Sequence, residues 1–143
     1  MGGNPRNFKK LDLYSLPSPC FVIDKRALEL NLKILQNLKL RTDVKILIAL
    51  KAFSTFSLAP LISKYLDGCC SSGLYETKLA KKYFSGKIST FSPAFKKEEF
   101  REIATISDHI IFNSLNQFDK FSGVAKELHN EIGLRINPLY SEI

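Results

Sequence analysis

The sequence predicts an α/β fold in which helices cover a parallel sheet, the N-terminal portion of a (β/α)8, TIM-like barrel. Three observations predict it. Short apolar runs alternate with amphipathic stretches along the chain, the pattern of successive βαβ units. None of the 7 glycines falls in a G-x-G-x-x-G or G-x-x-x-x-G-K-[ST] loop, which a doubly wound nucleotide fold normally places after an early strand. The chain has 143 residues, against the roughly 250 of a closed barrel. The barrel is therefore expected to be incomplete, the front part of something longer.

The elements follow in order. Residues 1–19 read as a flexible lead-in, closing on the turn-rich Ser15-Leu16-Pro17-Ser18-Pro19; residues 20–143 read as the partial barrel domain. Cys20-Phe21-Val22-Ile23 is expected to be a short buried strand. Asp24 is placed to cap the next helix, because its carboxylate can accept the free amides of a first turn. Leu28, Leu32, Leu35 and Leu38 recur at three- and four-residue spacing and form one apolar stripe for packing on a sheet. A strand is expected from Lys45 to Leu50, a helix from Leu58 to Tyr65 and a strand from Asp67 to Ser72. Leu74 to Phe84 reads as a helix with Tyr75, Leu79 and Tyr83 at four-residue steps, and Lys87 to Ser92 as a strand. A charged amphipathic helix from Lys96 to Thr105, a strand at His109-Ile110-Ile111-Phe112, a helix from Leu115 to Leu128 and a strand from Ile132 to Ile136 complete the series.

Composition narrows the class. Hydrophobic residues at 45% and charged residues at 24% describe a globular domain rather than a disordered segment. The net charge of +7 suits a phosphorylated ligand, acidic lipid or nucleic acid. The lysines are spread along the chain, and no zinc-finger spacing or aromatic RNA-binding motif accompanies them, which argues against nucleic acid. The three cysteines, Cys20, Cys69 and Cys70, give neither a disulfide framework nor metal-ligand spacing, and fit reduced thiols in the cytosol. His109 and His129 are isolated, so no metal site is expected. The N-terminus lacks the apolar core of a secretory signal, and no stretch has the length of a membrane span. A cytoplasmic protein is expected.

Lys51 is the most informative residue. It closes the apolar run Val44-Lys45-Ile46-Leu47-Ile48-Ala49-Leu50. A lysine at the mouth of a buried strand loses its proton more readily than a solvated one, and a neutral amine adds to aldehydes. The other reading is a strand-end lysine reaching into water. Ser72, Ser92 and Asn113 fall at strand ends that would point to the carboxyl mouth of the barrel, and each is also a sound cap or turn residue. Glu76 lies in a first helical turn, where a carboxylate meets the positive end of the dipole; it either caps the helix or orients Lys51. Arg135 lies within an apolar strand, so its charge calls for an ion-pair partner or the barrel mouth.

Several segments together resemble one family. They are Pro19-Cys20-Phe21-Val22-Ile23-Asp24 with Leu28 and Asn31, Lys45 to Phe53 around Lys51, Asp67-Gly68 with Ser71-Ser72-Gly73-Leu74-Tyr75-Glu76, Thr90 to Lys96, Asp108 to Ser114, and Gly133-Leu134-Arg135-Ile136-Asn137-Pro138. In this order they resemble the fold type III pyridoxal-phosphate decarboxylases, whose barrel is of the alanine racemase type, and most closely the carboxynorspermidine (carboxyspermidine) decarboxylases. The resemblance runs from Pro19 to Ile143. It implies pyridoxal 5'-phosphate as cofactor, with Lys51 as the lysine that forms a Schiff base with it. It places Arg135 near the cofactor and makes Glu76 a candidate cofactor-binding residue. It also implies a carboxylated polyamine as substrate, spermidine or norspermidine as product, and a homodimer in the full-length form. Cys69-Cys70 occupies a position where the resemblance implies a polar residue, which puts a direct cofactor contact from Cys70 in doubt. The family's later strands, Gly-rich phosphate loop, acidic partner of the pyridine nitrogen and second, β-rich domain have no counterpart in these residues. The chain alone is therefore expected not to be a competent decarboxylase. Two other readings stay open: another fold type III enzyme (a diaminopimelate, ornithine or arginine decarboxylase, or a racemase), and a non-catalytic binding module.

Overall fold

A computed structural model describes residues 5–140. Five strands form one parallel sheet: β1 (Leu47–Ala49), β2 (Gly68–Ser71), β3 (Lys87–Ser92), β4 (His109–Phe112) and β5 (Glu131–Leu134). Five helices connect or precede them: α1 (Lys25–Thr42), α2 (Ala59–Ile62), α3 (Leu74–Tyr83), α4 (Lys97–Ile106) and α5 (Leu115–Glu127). Turns of 3-10 helix span Pro5–Phe8, Leu13–Ser15 and Phe56–Leu58.

The sheet order β1-β2-β3-β4-β5 follows the chain. Each crossover advances by one strand in the same direction, which with uniform crossover handedness puts the helices on one face. A doubly wound sheet would reverse direction at a switch point. This is the topology of part of a barrel, as the sequence predicts. α3 packs on β2, β3 and α4, α4 packs on α5, and α5 packs on β4 and β5.

Both layers are joined by apolar and polar contacts. Ile110 and Phe112 of β4 are buried among Phe95, Phe100, Ile103 and Phe121. The Phe100 and Phe121 rings stack with centroids 4.5 Å apart, and Phe95 meets Phe100 edge-on at 5.1 Å. Nearer β1, Leu50, Cys69 and Ile88 are buried with Ala80 of α3. A chain of buried hydroxyls runs between these clusters. Ser71 Oγ lies 2.9 Å from Thr77 Oγ1 and 2.7 Å from Thr90 Oγ1, and Thr90 Oγ1 lies 2.7 Å from Ser107 Oγ. Thr77 also donates to the Gly73 carbonyl at 2.9 Å. Polar atoms at such depth are tolerated because each has a partner.

Strand register is held by two aspartates at the amino edge. Asp67 Oδ2 accepts the Ile46 amide at 2.8 Å while Oδ1 meets Lys39 Nζ at 2.8 Å. Asp108 Oδ2 accepts the Ile88 amide at 2.8 Å while Oδ1 meets Lys87 Nζ at 2.9 Å. Both carboxyls sit below the ordinary aspartate range. For Asp67, burial alone would raise the value, but the Lys39 hydrogen bond and the Ile46 amide outweigh it. For Asp108, burial is likewise outweighed by the Ile88 amide and Lys87. Glycine is required beside Asp67. Gly86 has φ +91°, and a Cβ there would lie 2.1 Å from the Asp67 carbonyl oxygen.

The structure corrects several expectations. Cys20–Ile23 is not a buried strand: Phe21 is fully exposed, as are large parts of Val22 and Ile23. A strand exists through its ladder, and no neighbouring strand pairs with these residues. β1 is shorter than expected, and the predicted Leu58 to Tyr65 helix is one turn, Ala59–Ile62, beginning with Pro60 near its start. Asp24 caps α1 as expected, accepting the Arg26 and Ala27 amides at 3.0 Å. Leu28, Leu32 and Leu35 pack toward α2, but Leu38 is 48% exposed because six residues carry it about 120° around the axis from Leu32. On α3 the buried residues are Leu74, Thr77 and Ala80, whereas Tyr75 is exposed.

Two measurements test these linkages. Thr90→Val leaves the buried Ser107 hydroxyl without its partner and should destabilise the chain by about 1–3 kcal/mol in urea titrations. Because the folded aspartates titrate below their unfolded value of about 3.9, their stabilisation is complete above that pH and is lost as the pH falls through the folded values. The urea midpoint should thus fall more steeply below about pH 4 in the parent chain than in an Asp67→Asn, Asp108→Asn double variant.

Candidate active site

In a parallel sheet every carboxyl end lies at one edge, and in barrels that edge carries the chemistry. Lys51 follows β1, Ser72 follows β2, Pro93 follows β3, Asn113 follows β4 and Arg135 follows β5. The helices cover one face of this sheet. On the other face Ala49 is exposed, and Cys70, Phe91, Ile111 and Gly133 are half-buried.

Lys51 sits in a tight turn. The Leu50 amide extends the ladder to the Cys70 carbonyl at 3.0 Å, and the Ala52 and Phe53 amides both return to the Ala49 carbonyl at 3.1 Å. Leu50 is buried and anchors the backbone beside it, while Lys51 itself is exposed. Among the described residues its ammonium has no hydrogen bond or ion pair. The expectation of a lysine at a buried strand mouth is not met, and the reading of a strand-end lysine reaching into water is: β1 ends at Ala49, so the side chain leaves the sheet rather than ending inside it.

Glu76 is engaged at the start of α3. Its Oε2 accepts the Ser72 backbone amide at 2.7 Å and the Ser72 hydroxyl at 2.8 Å. The N-cap position is Gly73, which offers no side chain, so the carboxylate reaches back to satisfy donors there, as in a capping box. It makes no contact with Lys51 among the described residues.

Arg135 lies one residue beyond β5, exposed rather than within the strand. Its amide donates to the Phe112 carbonyl at 2.8 Å, Nη1 donates to Asn113 Oδ1 at 3.1 Å, and its guanidinium carbon lies 5.6 Å from the Phe91 ring centroid. The stacked, singly bonded guanidinium keeps further donors for an anion. Its partner Asn113 is held by Gln117, whose Oε1 accepts the Asn113 amide at 2.7 Å. The Gln117 Nε2 donates to the Ser92 and Pro93 carbonyls at 3.3 and 3.4 Å. One buried side chain thus ties together the ends of β3 and β4, and the Asn113 side chain links them to Arg135 after β5.

Sequence reasoning missed Gln117 and Phe91. The signal for Gln117 was present: Ser114 and Gln117 form the S-x-x-Q spacing of a capping box, and Ser114 Oγ does accept the Gln117 amide at 3.2 Å. Ser92 takes a turn role, its hydroxyl donating to the Ala94 carbonyl at 3.1 Å. Lys51 and Arg135 follow the two edge strands, which are four inter-strand steps of about 4.8 Å apart. The Cys69 thiol is pushed up to about 11 by burial, and burial also raises Cys70, so neither is a ready nucleophile. No group of three or more His, Cys, Asp or Glu among the described residues is arranged to hold a metal ion.

No family model matches the chain. A carboxynorspermidine/carboxyspermidine decarboxylase of Campylobacter jejuni is 40% identical over 126 residues, 88% of this chain and 32% of that protein. The crystal structure of carboxynorspermidine decarboxylase from Campylobacter jejuni, complexed with norspermidine, superposes with a TM-score of 0.84 at 40% identity, covering 88% of this chain and 34% of the other. Over that stretch this chain is similar to the carboxynorspermidine/carboxyspermidine decarboxylases. A carboxyaminopropylagmatine decarboxylase of Synechocystis is 35% identical over 140 residues, 98% of this chain and 35% of that protein. The chain thus spans about a third of the length of the decarboxylases it matches. No helix among the described residues is long and apolar enough to cross a membrane.

Gln117→Leu removes the acceptor of the Asn113 amide. Hydrogen exchange at Asn113 should quicken by about tenfold or more, the equivalent of about 1.4 kcal/mol, while exchange at the distant Cys69 amide stays unchanged.

Proposed function

We propose that the carboxyl edge of this sheet is the cofactor-lysine part of a pyridoxal-phosphate decarboxylase acting on carboxylated polyamines. The observation that carries the reading is Lys51, an exposed primary amine without a partner among the described residues, in a chain 40% identical to a carboxynorspermidine/carboxyspermidine decarboxylase. The residues present fit the group. An available amine suits an aldehyde, and the Arg135 guanidinium, stacked on Phe91 and bonded once to Asn113, suits an anion at the same edge.

When bound, pyridoxal phosphate supplies an aldehyde for an amine and a conjugated ring that accepts the electron pair left as carbon dioxide departs. Lys51 would hold it covalently, and Arg135 would hold anionic oxygen by charge-assisted hydrogen bonds. Glu76 acts at one remove, fixing the Ser72 loop that borders the edge. The turn at Ala49–Phe53 keeps the lysine backbone fixed while its side chain stays free to move between bonded and unbonded positions.

The substrate is proposed as a carboxylated polyamine, with carboxynorspermidine or carboxyspermidine favoured by the 40% relative. A carboxyaminopropylagmatine is the second reading, favoured by a match that covers 98% of the chain. The homodimer and the cytoplasmic location belong to the same proposal. Turnover is expected to require the further length that the relatives possess.

Purified chain mixed with pyridoxal phosphate should show no stable visible band and release no carbon dioxide from either substrate. Borohydride reduction of the same mixture, followed by peptide mass mapping, should mark Lys51 ahead of the other lysines, and Lys51→Arg should abolish that preference. Even labelling over the surface lysines would refute the assignment of Lys51.

A further inference from the structure

The Arg135 guanidinium is held on two sides. It lies over the Phe91 ring, with its central carbon 5.6 Å from the ring centroid, and its Nη1 donates to Asn113 Oδ1 at 3.1 Å. The ring contact limits the tilt of the group, and the hydrogen bond limits its rotation. Among the described residues Nε and Nη2 have no partner. These two atoms form the side-on edge of a guanidinium, the fork that meets two oxygens of one carboxylate or phosphate. Phe91 and Asn113 therefore set the direction of that fork.

Both contacts rest on backbone that Gln117 holds. Gln117 lies in the first turn of α5 and is 9% exposed. Its Oε1 accepts the Asn113 amide at 2.7 Å, and its Nε2 donates at 3.3 Å to the carbonyl of Ser92, the residue after Phe91. The corresponding junction after β2 shows what is particular here. There Glu76 accepts the Ser72 amide at 2.7 Å and also takes the Ser72 hydroxyl at 2.8 Å, so that side chain is used up locally. Gln117 takes only the backbone amide of Asn113, which leaves the Asn113 side-chain oxygen for Arg135. The relay consists wholly of contacts within this chain, among β3, β4, α5 and the residue after β5.

We propose that Gln117 is a positioning residue for anion capture at the carboxyl edge: acting through Asn113, it turns the Nε–Nη2 edge of Arg135 toward two oxygens of one anion. The inference rests on the reading of Arg135 as the holder of anionic oxygen and adds the residues that orient it. An arginine side chain gives up rotamer freedom when it binds, and one already held has less to lose. Gln117 is buried and acts only through its neighbours; what it supplies is preorganisation.

The test uses the 143-residue chain labelled with nitrogen-15, with the Arg135 Nε–H resonance assigned by its loss in Arg135→Lys. Two quantities are read there: the order of the Nε–H bond without ligand, and the shift on titration with inorganic phosphate or with acetate at constant ionic strength. The parent chain should show an ordered bond and a saturable shift. Gln117→Leu, and Asn113→Ala, which keeps the backbone amide, should each loosen the bond and weaken anion binding by about two- to tenfold, the cost of immobilising one long side chain. Gln117→Glu keeps an acceptor for the Asn113 amide, as Glu76 serves Ser72, and should retain both the order and the affinity. The double variant Gln117→Leu/Asn113→Ala should lose less than the sum of the two single losses, because the residues act in one relay. Circular dichroism checks that the variants fold; if Gln117→Leu does not, Asn113→Ala and Gln117→Glu decide. The anion that binds more tightly, phosphate or acetate, names the group that the edge takes. Saturable binding with the same affinity and order in every variant overturns the positioning role and leaves Arg135 as the anion holder. Additive losses in the double variant, or a Gln117→Glu chain as loose as Gln117→Leu, overturn it likewise. No saturable shift in the parent chain overturns the anion reading of Arg135 and this proposal with it.

Discussion

Side chains that seize backbone amides at both ends of the strands hold this sheet in register, and everything at its carboxyl edge depends on that. At the amino edge Asp67 takes the Ile46 amide, and at the carboxyl edge Glu76 takes the Ser72 amide. The arrangement recurs 41 residues later, from 67 to 108 and from 76 to 117: Asp108 takes the Ile88 amide and Gln117 takes the Asn113 amide. A slip of one residue in a strand would exchange the helix-covered face for the open one. The two pinned βα junctions thereby decide that Ser72 and Asn113 border the carboxyl edge while Ser71 and Phe112 are buried under the helices.

The two faces of the sheet differ in how completely they are sealed. Under the helices, phenylalanine rings and a chain of hydroxyls leave almost no buried polar atom unpaired; Asn130 Oδ1 is the exception among the described residues. On the opposite face, exposed Ala49 and half-buried Cys70 and Gly133 line the side that a barrel would close around. β1 and β5 are the edges of the sheet, and they carry Lys51 and Arg135. The ends of two edge strands lie nearer one another across a sheet curved toward closure than across a flat one.

How much could be read in advance differs from element to element. β2, β3, β4 and helices α3 to α5 were legible nearly to the residue, because short apolar runs and amphipathic stretches alternate there at the periods of strand and helix. Cys20–Ile23 looked like a strand for the same apolar reason, yet strand formation is a contract between two segments, and pairing is not written in one of them. Leu38 joined the stripe by spacing alone, though a six-residue step turns it away from Leu32. In the site, Lys51 was found by its place after an apolar run, whereas the choice between a buried mouth and a side chain reaching into water stayed open, since that depended on where β1 ended. Gln117 carried a recognisable capping spacing, but its reach to the Ser92 and Pro93 carbonyls is long-range.

By itself the sequence determined the alternation of strands and helices, their shared direction and the lysine, glutamate and arginine that reach strand or helix ends, because these follow from local periodicity and turn chemistry. Only the tertiary structure decided which side chains meet. It put Arg135 on Phe91 and Asn113, engaged Glu76 with Ser72 instead of Lys51, and left Leu30, Ile34 and Leu38 facing outward. Those outcomes depend on register and on contacts between residues far apart in the chain, and no local rule of spacing contains them.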